Sequence, residues 1–222
     1  MSDQVEEVKI TWTGRIRDRA EKNLPYDRLM PDTQPAYVVS WIYVAGVLTI
    51  AALAGIIGSG VILTFKGPTW WHTSASGHFV NSLHFWSVQL FFIFMVVHLW
   101  GNFWMAAWRG GRWKTWISGL VAFAVSIGAG LSGYAIQTNV DSQWIAFQAK
   151  DGINATGVGA MFDIANFGQM MMFHIFLFPG IISLVVLAHV VWVRIKGVVP
   201  PIDAAKVEAA IAEHAASTQA GA

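Results

Sequence analysis

Cysteine is absent from all 222 residues, which excludes disulfides, iron–sulfur ligation and thioether attachment of a prosthetic group on this chain. Charge is scarce. Asp, Glu, Lys and Arg together make up 12% of the residues, too few to coat an ordinary soluble domain. The opening stretch, MSDQVEEVKITWTGRIRDRAEKN, has no early apolar run and does not read as a cleaved signal peptide. Internal repeats and glycine-rich phosphate-binding motifs are also missing, and nothing points to nucleic acid. What the chain has in quantity is apolar. Hydrophobic residues reach 55%, and many of the 12 Trp and 14 Phe lie near the ends of apolar runs, as suits rings at a membrane interface. The length is enough for one compact domain.

Four apolar segments are each long enough to cross a hydrocarbon core of about 30 Å as a helix. Span A is predicted from Tyr37 to Phe65, span B from His78 to Trp108, span C from Thr115 to Tyr134 and span D from Met170 to Val193. Pro179 falls inside span D, where a membrane helix accepts a kink if neighbours satisfy the freed carbonyl. The architecture expected is an all-α integral membrane bundle of four helices. Residues 1–36 form an N-terminal arm, 37–202 the four-helix domain and 203–222 an Ala-rich tail. In the arm, residues 11–30 mix Trp12, Ile16 and Leu24 with basic residues and suit a helix lying on the membrane surface. Asp203 is a candidate N-cap for a tail helix, the other reading being a frayed polar end. The connection between spans C and D is too long to be a mere connector and suits a cover over a site.

Charge sets the orientation. Lys9, Arg15, Arg17, Arg19, Lys22 and Arg28 precede span A; Arg109, Arg112 and Lys114 lie between spans B and C; Arg194, Lys196 and Lys206 follow span D. Four crossings put all twelve on one side, leaving Lys66 and Lys150 opposite with Asp141, Asp151 and Asp163. The positive-inside rule then places both termini in the cytoplasm, in what reads as a prokaryotic plasma membrane.

The histidines carry the chemistry. Span B holds His84 and His98, fourteen apart; span D holds His174 and His189, fifteen apart. Fourteen residues turn a helix by ~1,400°, leaving both side chains within ~40° of one face and ~21 Å apart along the axis. Fifteen leave ~60°, which modest bending absorbs. Spans B and D run in the same direction, so His84 pairs with His174 at the outer depth and His98 with His189 at the inner depth. Each pair can place an imidazole on either face of a haem iron. Two nitrogen ligands leave no open position, so such an iron carries electrons rather than binding oxygen. The plainer alternative is four separate polar residues, each bonded to a neighbouring helix, and matching spacings in two spans weigh against it. Zinc is a weaker alternative, with no Cys or carboxylate near these positions. His72, His78 and His214 read as interfacial or solvated.

Gly46 and Gly60 lie fourteen apart on span A, and Gly119 and Gly133 fourteen apart on span C. The repeat matches that of the histidines, and helices flanking a porphyrin at two depths need bare positions there. Small-residue packing between helices explains glycines in general, but not two spacings of fourteen.

With these strings in hand the chain resembles the cytochrome b family, in the short four-helix form found in cytochrome b/f-type complexes. The likeness covers about residues 37–202. It rests on the histidine spacings, the four glycines, GVILTFKGPT after span A, SLHFW at His84, WISG and GLSGY in span C, HIFLFP at His174 and HVVWVRIKG from His189. The resemblance implies two b-type haems, the outer on His84 and His174 and the inner on His98 and His189, with Gly46, Gly60, Gly119 and Gly133 packing against them. It implies quinone as substrate. A quinol gives one electron to an iron–sulfur protein and one to the outer haem, and the second passes through the inner haem to quinone. Arg112 and Arg194 match basic positions near the inner haem propionates or the inner quinone, although topology alone also calls for cations there.

The family pattern is broken at three places. Phe85 stands where Arg usually follows the first span-B histidine, and Gly101 where Arg usually follows three residues after the second. AIQTNVDSQW replaces the usual sequence after Gly133-Tyr134. The lack of Cys also removes the extra covalent haem of the photosynthetic type. Two functions follow from the sequence. One is the dihaem cytochrome b subunit of a quinol-oxidising complex, a redox subunit not active alone. Its partners would be a second-half cytochrome b chain, a Rieske protein or a c-type cytochrome. The other is a dihaem anchor linking a peripheral dehydrogenase or cytochrome to the quinone pool. A haem-free structural or transport bundle is a third, separable by an absorption spectrum.

Overall fold

A computed structural model describes residues 11–23, 41–200 and 203–220. Its elements are helices: α1 (Trp12–Asn23), α2 (Trp41–Lys66), α3 (Pro68–Thr73), α4 (Ala75–Trp104), α5 (Trp113–Ala135), α6 (Val140–Ala155), α7 (Phe167–Lys196) and α8 (Ala204–Ala220). Four of them, α2, α4, α5 and α7, are long and apolar enough to cross a membrane. Large apolar side chains point outward along them, with Trp86 63%, Leu187 63% and Leu184 70% exposed. Apolar side chains displayed on the outer face fit a helix bathed in lipid rather than water. The molecule is an integral membrane four-helix bundle.

Local signals set the helix ends. Ser74 caps α4, its hydroxyl accepting from the Gly77 amide at 2.9 Å, so the helix starts before the predicted His78. It stops at Trp104, four residues short of the predicted Trp108, because Ala106 takes a positive φ of 50°. Asn166 caps α7 through the Gln169 amide, and Gly197 at φ 72° ends it, lengthening the predicted span D at both ends. The stretch expected to lie on the membrane surface holds α1 over its first part, and residues 24–30 lie outside the described ones. Asp203 begins α8 through its carbonyl, which accepts from Lys206 and Val207.

Helix α2 packs along α4, and α5 along α7, as two antiparallel hairpins. Side chains tie the ends together. At one end the Tyr43 hydroxyl donates to the Val199 carbonyl, and Arg112 Nε donates to Gly197 at 3.2 Å. At the other, His72 Nε2 lies 3.2 Å from Thr138 Oγ1. The start of α2, the α4–α5 loop and the end of α7 therefore share one end of the bundle. Helix α6 fills part of the long connection between α5 and α7. Ala146 from it joins Ile136, Ile164 and Met170 in a small core, and Lys150 pairs with Asp163 at 3.3 Å.

Helix α7 contains one π-helical turn, Phe173–Leu177, with the Phe178 amide reaching the Phe173 carbonyl. Pro179 follows directly and has no N–H for the carbonyl four residues back, so a wider turn relieves the helix there. The turn absorbs one residue. The fifteen-residue spacing of His174 and His189 thereby behaves as fourteen, and this local feature, rather than the distributed bending expected, brings both to one face.

Candidate functional site: two imidazole pairs inside the bundle

The four histidines meet in two pairs. His84 and His174 have ring centroids 6.1 Å apart, and His98 and His189 6.5 Å apart, with the planes of each pair at 79°. An imidazole centroid lies ~1.1 Å behind its nitrogen and metal–imidazole bonds run ~2.0 Å, so two imidazoles on one ion stand ~6.2 Å apart. Both separations suit a single metal between two rings.

The backbone fixes which nitrogen faces inward. Nδ1 of His84 lies 3.0 Å from the Ile56 carbonyl, that of His174 3.0 Å from Ala129, that of His189 3.0 Å from Thr115 and that of His98 3.3 Å from Ile42. A carbonyl only accepts, so Nδ1 carries the proton and Nε2 keeps its lone pair for a metal. The carbonyls come from α2 and α5, the helices antiparallel to those carrying the histidines.

The glycines do something more specific than leaving room for a ring system. A Cβ on Gly46 would stand 2.9 Å from His98 Cε1, and one on Gly60 or Gly119 3.2 Å from His84 or His189 Cε1. On Gly133 it would collide with His174 Cε1 and lie 2.9 Å from Nδ1. Each glycine thus seats the edge of one imidazole. Between the hairpins lies a cavity of about 1040 Å³, lined among others by His84, His174, Gly60, Gly133, Phe85 and Trp71. Trp71 is buried, and its indole N–H has no hydrogen-bond partner.

Sequence reasoning overlooked three buried serines. Ser59, Ser118 and Ser132 each sit one residue before a glycine of the set, with hydroxyls 3.0, 3.0 and 3.4 Å from Nδ1 of His84, His189 and His174. The repeated Ser-Gly pair was the available signal. The two arginines lie at the other end of the α5–α7 hairpin from His174. Arg112 is engaged with the Gly197 and Arg109 carbonyls, and Arg194 is exposed in the last turn of α7. Gly101 has a packing reason, since a Cβ there would stand 2.9 Å from the Ile42 side chain. Phe85 turns an apolar ring to the cavity. His72, His78 and His214 are exposed, as expected.

Fold and site together define a membrane-spanning bundle with paired internal imidazoles at two depths. The family described as cytochrome b(N-terminal)/b6/petB matches residues 89–219, more than half of the chain, and the chain belongs to it. Relatives include a cytochrome bc complex cytochrome b subunit from Chlorobaculum thiosulfatiphilum, 27% identical over 79% of this chain and 46% of the relative. Cytochrome b6 of Mastigocladus laminosus is 23% identical over 85% of this chain and 100% of its own length. The chain thus spans about half of the first relative and the whole of the second. A solved structure titled hyperthermophilic respiratory Complex III shares the fold, with a TM-score of 0.63 at 18% identity over 83% of this chain and 53% of that one.

Proposed function

We propose that the chain binds two b-type haems, one between His84 and His174 and one between His98 and His189. We further propose that it serves as the electron-carrying subunit of a membrane quinol-oxidising complex of the cytochrome bc or b/f kind. The observation that carries this reading is the pair of imidazole sets with Nδ1 committed to backbone and Nε2 left for iron. The residues present fit the group. The glycines keep the rings seated, a cavity of about 1040 Å³ adjoins one pair, and the orphaned Trp71 N–H there is a ready donor to a polar edge such as a propionate. Zinc suits the site less well, since among the described residues no three His, Asp or Glu side chains gather.

Held by His84 and His174 or by His98 and His189, haem would supply one-electron carriage. The protein's own part is to hold the imidazoles at two depths ~21 Å apart, exclude water with apolar walls and collect basic residues at one end. Quinone as the acceptor at that end, cytoplasmic termini and partner chains of the Rieske, c-type cytochrome or second-half cytochrome b kind belong to the same proposal. Family membership favours this reading over a dehydrogenase anchor. A pyridine haemochrome assay on the purified protein tests it, with two b haems per polypeptide expected. One haem or none overturns it.

A further inference from the structure

The four imidazoles are not held alike. Three have a serine beside Nδ1. The hydroxyl of Ser59 donates to the Gly55 carbonyl at 2.6 Å, that of Ser118 to Thr115 at 2.8 Å and that of Ser132 to Ala129 at 2.9 Å. A hydroxyl has one proton, and in each serine it is spent on the backbone. The oxygen lone pairs are then free to accept from Nδ1, which shares its proton between a carbonyl and a hydroxyl.

At His98 the pattern breaks. Gly46 is preceded by Ala45, which is buried and offers no acceptor. The carbonyl of Ile42 is farther away, at 3.3 Å. The polar side chain beside it is Asn102, whose Nδ2 donates to the His98 carbonyl at 2.8 Å and stands 3.3 Å from His98 Nδ1. An amide nitrogen cannot accept, so its positive edge faces the imidazole where the other three sites present an oxygen.

We propose that Ser59, Ser132 and Ser118 are positioning residues that tune the iron through their histidines, and that Ala45 with Asn102 withholds this tuning from His98. The inference rests on the haem reading above. An acceptor on Nδ1–H gives the imidazole anionic character, strengthens its bond to iron and favours the oxidised state; a nearby donor does the reverse. The outer pair has two such hydroxyls and the inner pair one. The outer site would therefore receive more of this tuning than the inner one.

The test is an equilibrium redox titration of both haems in the intact complex, after haem content has been measured. Ser59→Ala is expected to change the redox equilibrium of the outer haem about tenfold toward reduction, which is about 59 mV for a one-electron couple, with the inner haem unmoved. Ala45→Ser is expected to lower the inner potential by a similar step, and Ser59→Thr, which keeps the hydroxyl, to match wild type. If Ser59→Ala loses its haem, Ala45→Ser decides: a lowered inner potential supports the serine assignment, and an unmoved one overturns it. Two haems with unmoved potentials overturn the serine assignment while leaving the haem reading intact. A wild-type protein without haem overturns the reading beneath it.

Discussion

His84 and His174 face each other with ring centroids 6.1 Å apart, although ninety residues of chain separate them and their helices belong to different hairpins. Each ring is held from behind by the other helix of its own hairpin, through Ile56 and Ala129. An imidazole pinned at Nδ1 has lost rotamer freedom before any metal arrives, which lowers the entropy cost of binding.

The pairing predicts that the two haems proposed above are lost separately. His84→Ala or His174→Ala is expected to remove the outer component, and His98→Ala or His189→Ala the inner one, leaving about half of the haem in each variant. Redox difference spectra would show the surviving component. If His84→Ala and His189→Ala erased the same component and spared the other, the pairing would be wrong.

The glycines predict a graded series. Gly133→Ala and Gly46→Ala drive a methyl into an imidazole edge, and overpacking of this kind costs about 1–3 kcal/mol. Gly60→Ala and Gly119→Ala make the milder 3.2 Å contact. Gly58→Ala meets nothing within 4 Å and serves as control. Haem occupancy after purification should follow that order. Equal occupancy in Gly133→Ala and Gly58→Ala would mean that the glycines do not seat the rings.

The π-turn predicts an asymmetry between α4 and α7. Deleting Phe176, which is 72% exposed inside the turn, leaves the histidines of α7 fourteen apart, the spacing that a regular helix brings to one face. Both haems should survive. Deleting Ile93, 56% exposed and between His84 and His98, leaves thirteen residues and no turn to absorb the change. His84 rotates by ~100° and one haem should be lost. Equal haem loss in the two deletions would refute the role given to the turn.

Spans, histidine pairing and glycine spacing were legible because helical period and bilayer thickness act on sequence directly. The end of α4 at Trp104 was not, since it depends on the positive φ of Ala106, a conformation that alanine does not advertise. The π-turn left a trace as the fifteenth residue, yet bending explained that number equally well until the Phe173 carbonyl was seen to bond the Phe178 amide. The serines were passed over because a small hydroxyl in a membrane helix normally bonds its own backbone. These do, and the second role emerges only when α2 is laid against α4 and α5 against α7.

The last prediction concerns the basic end of the bundle. Arg194 lies five residues beyond His189 in α7, ~7.5 Å further along the axis, and is exposed. On the proposed function an electron arriving at the inner pair would need an acceptor, and a quinone taking electrons also takes protons. Cations at the interface supply an attractive field and keep a wet path for those protons. Arg112 suits this less, because its guanidinium already binds the Gly197 and Arg109 carbonyls and ties the α4–α5 loop to the end of α7. The same cations also fix topology, and substitution separates the two roles. In Arg194→Gln, eleven of the twelve basic residues assigned to that side remain, so insertion and haem content should be unchanged. Reoxidation of the inner component by added quinone should slow about tenfold or more, a loss of ~1.4 kcal/mol in transition-state stabilisation. Stopped-flow absorbance at equal haem content measures it, and an unchanged rate would leave Arg194 as a topological anchor only.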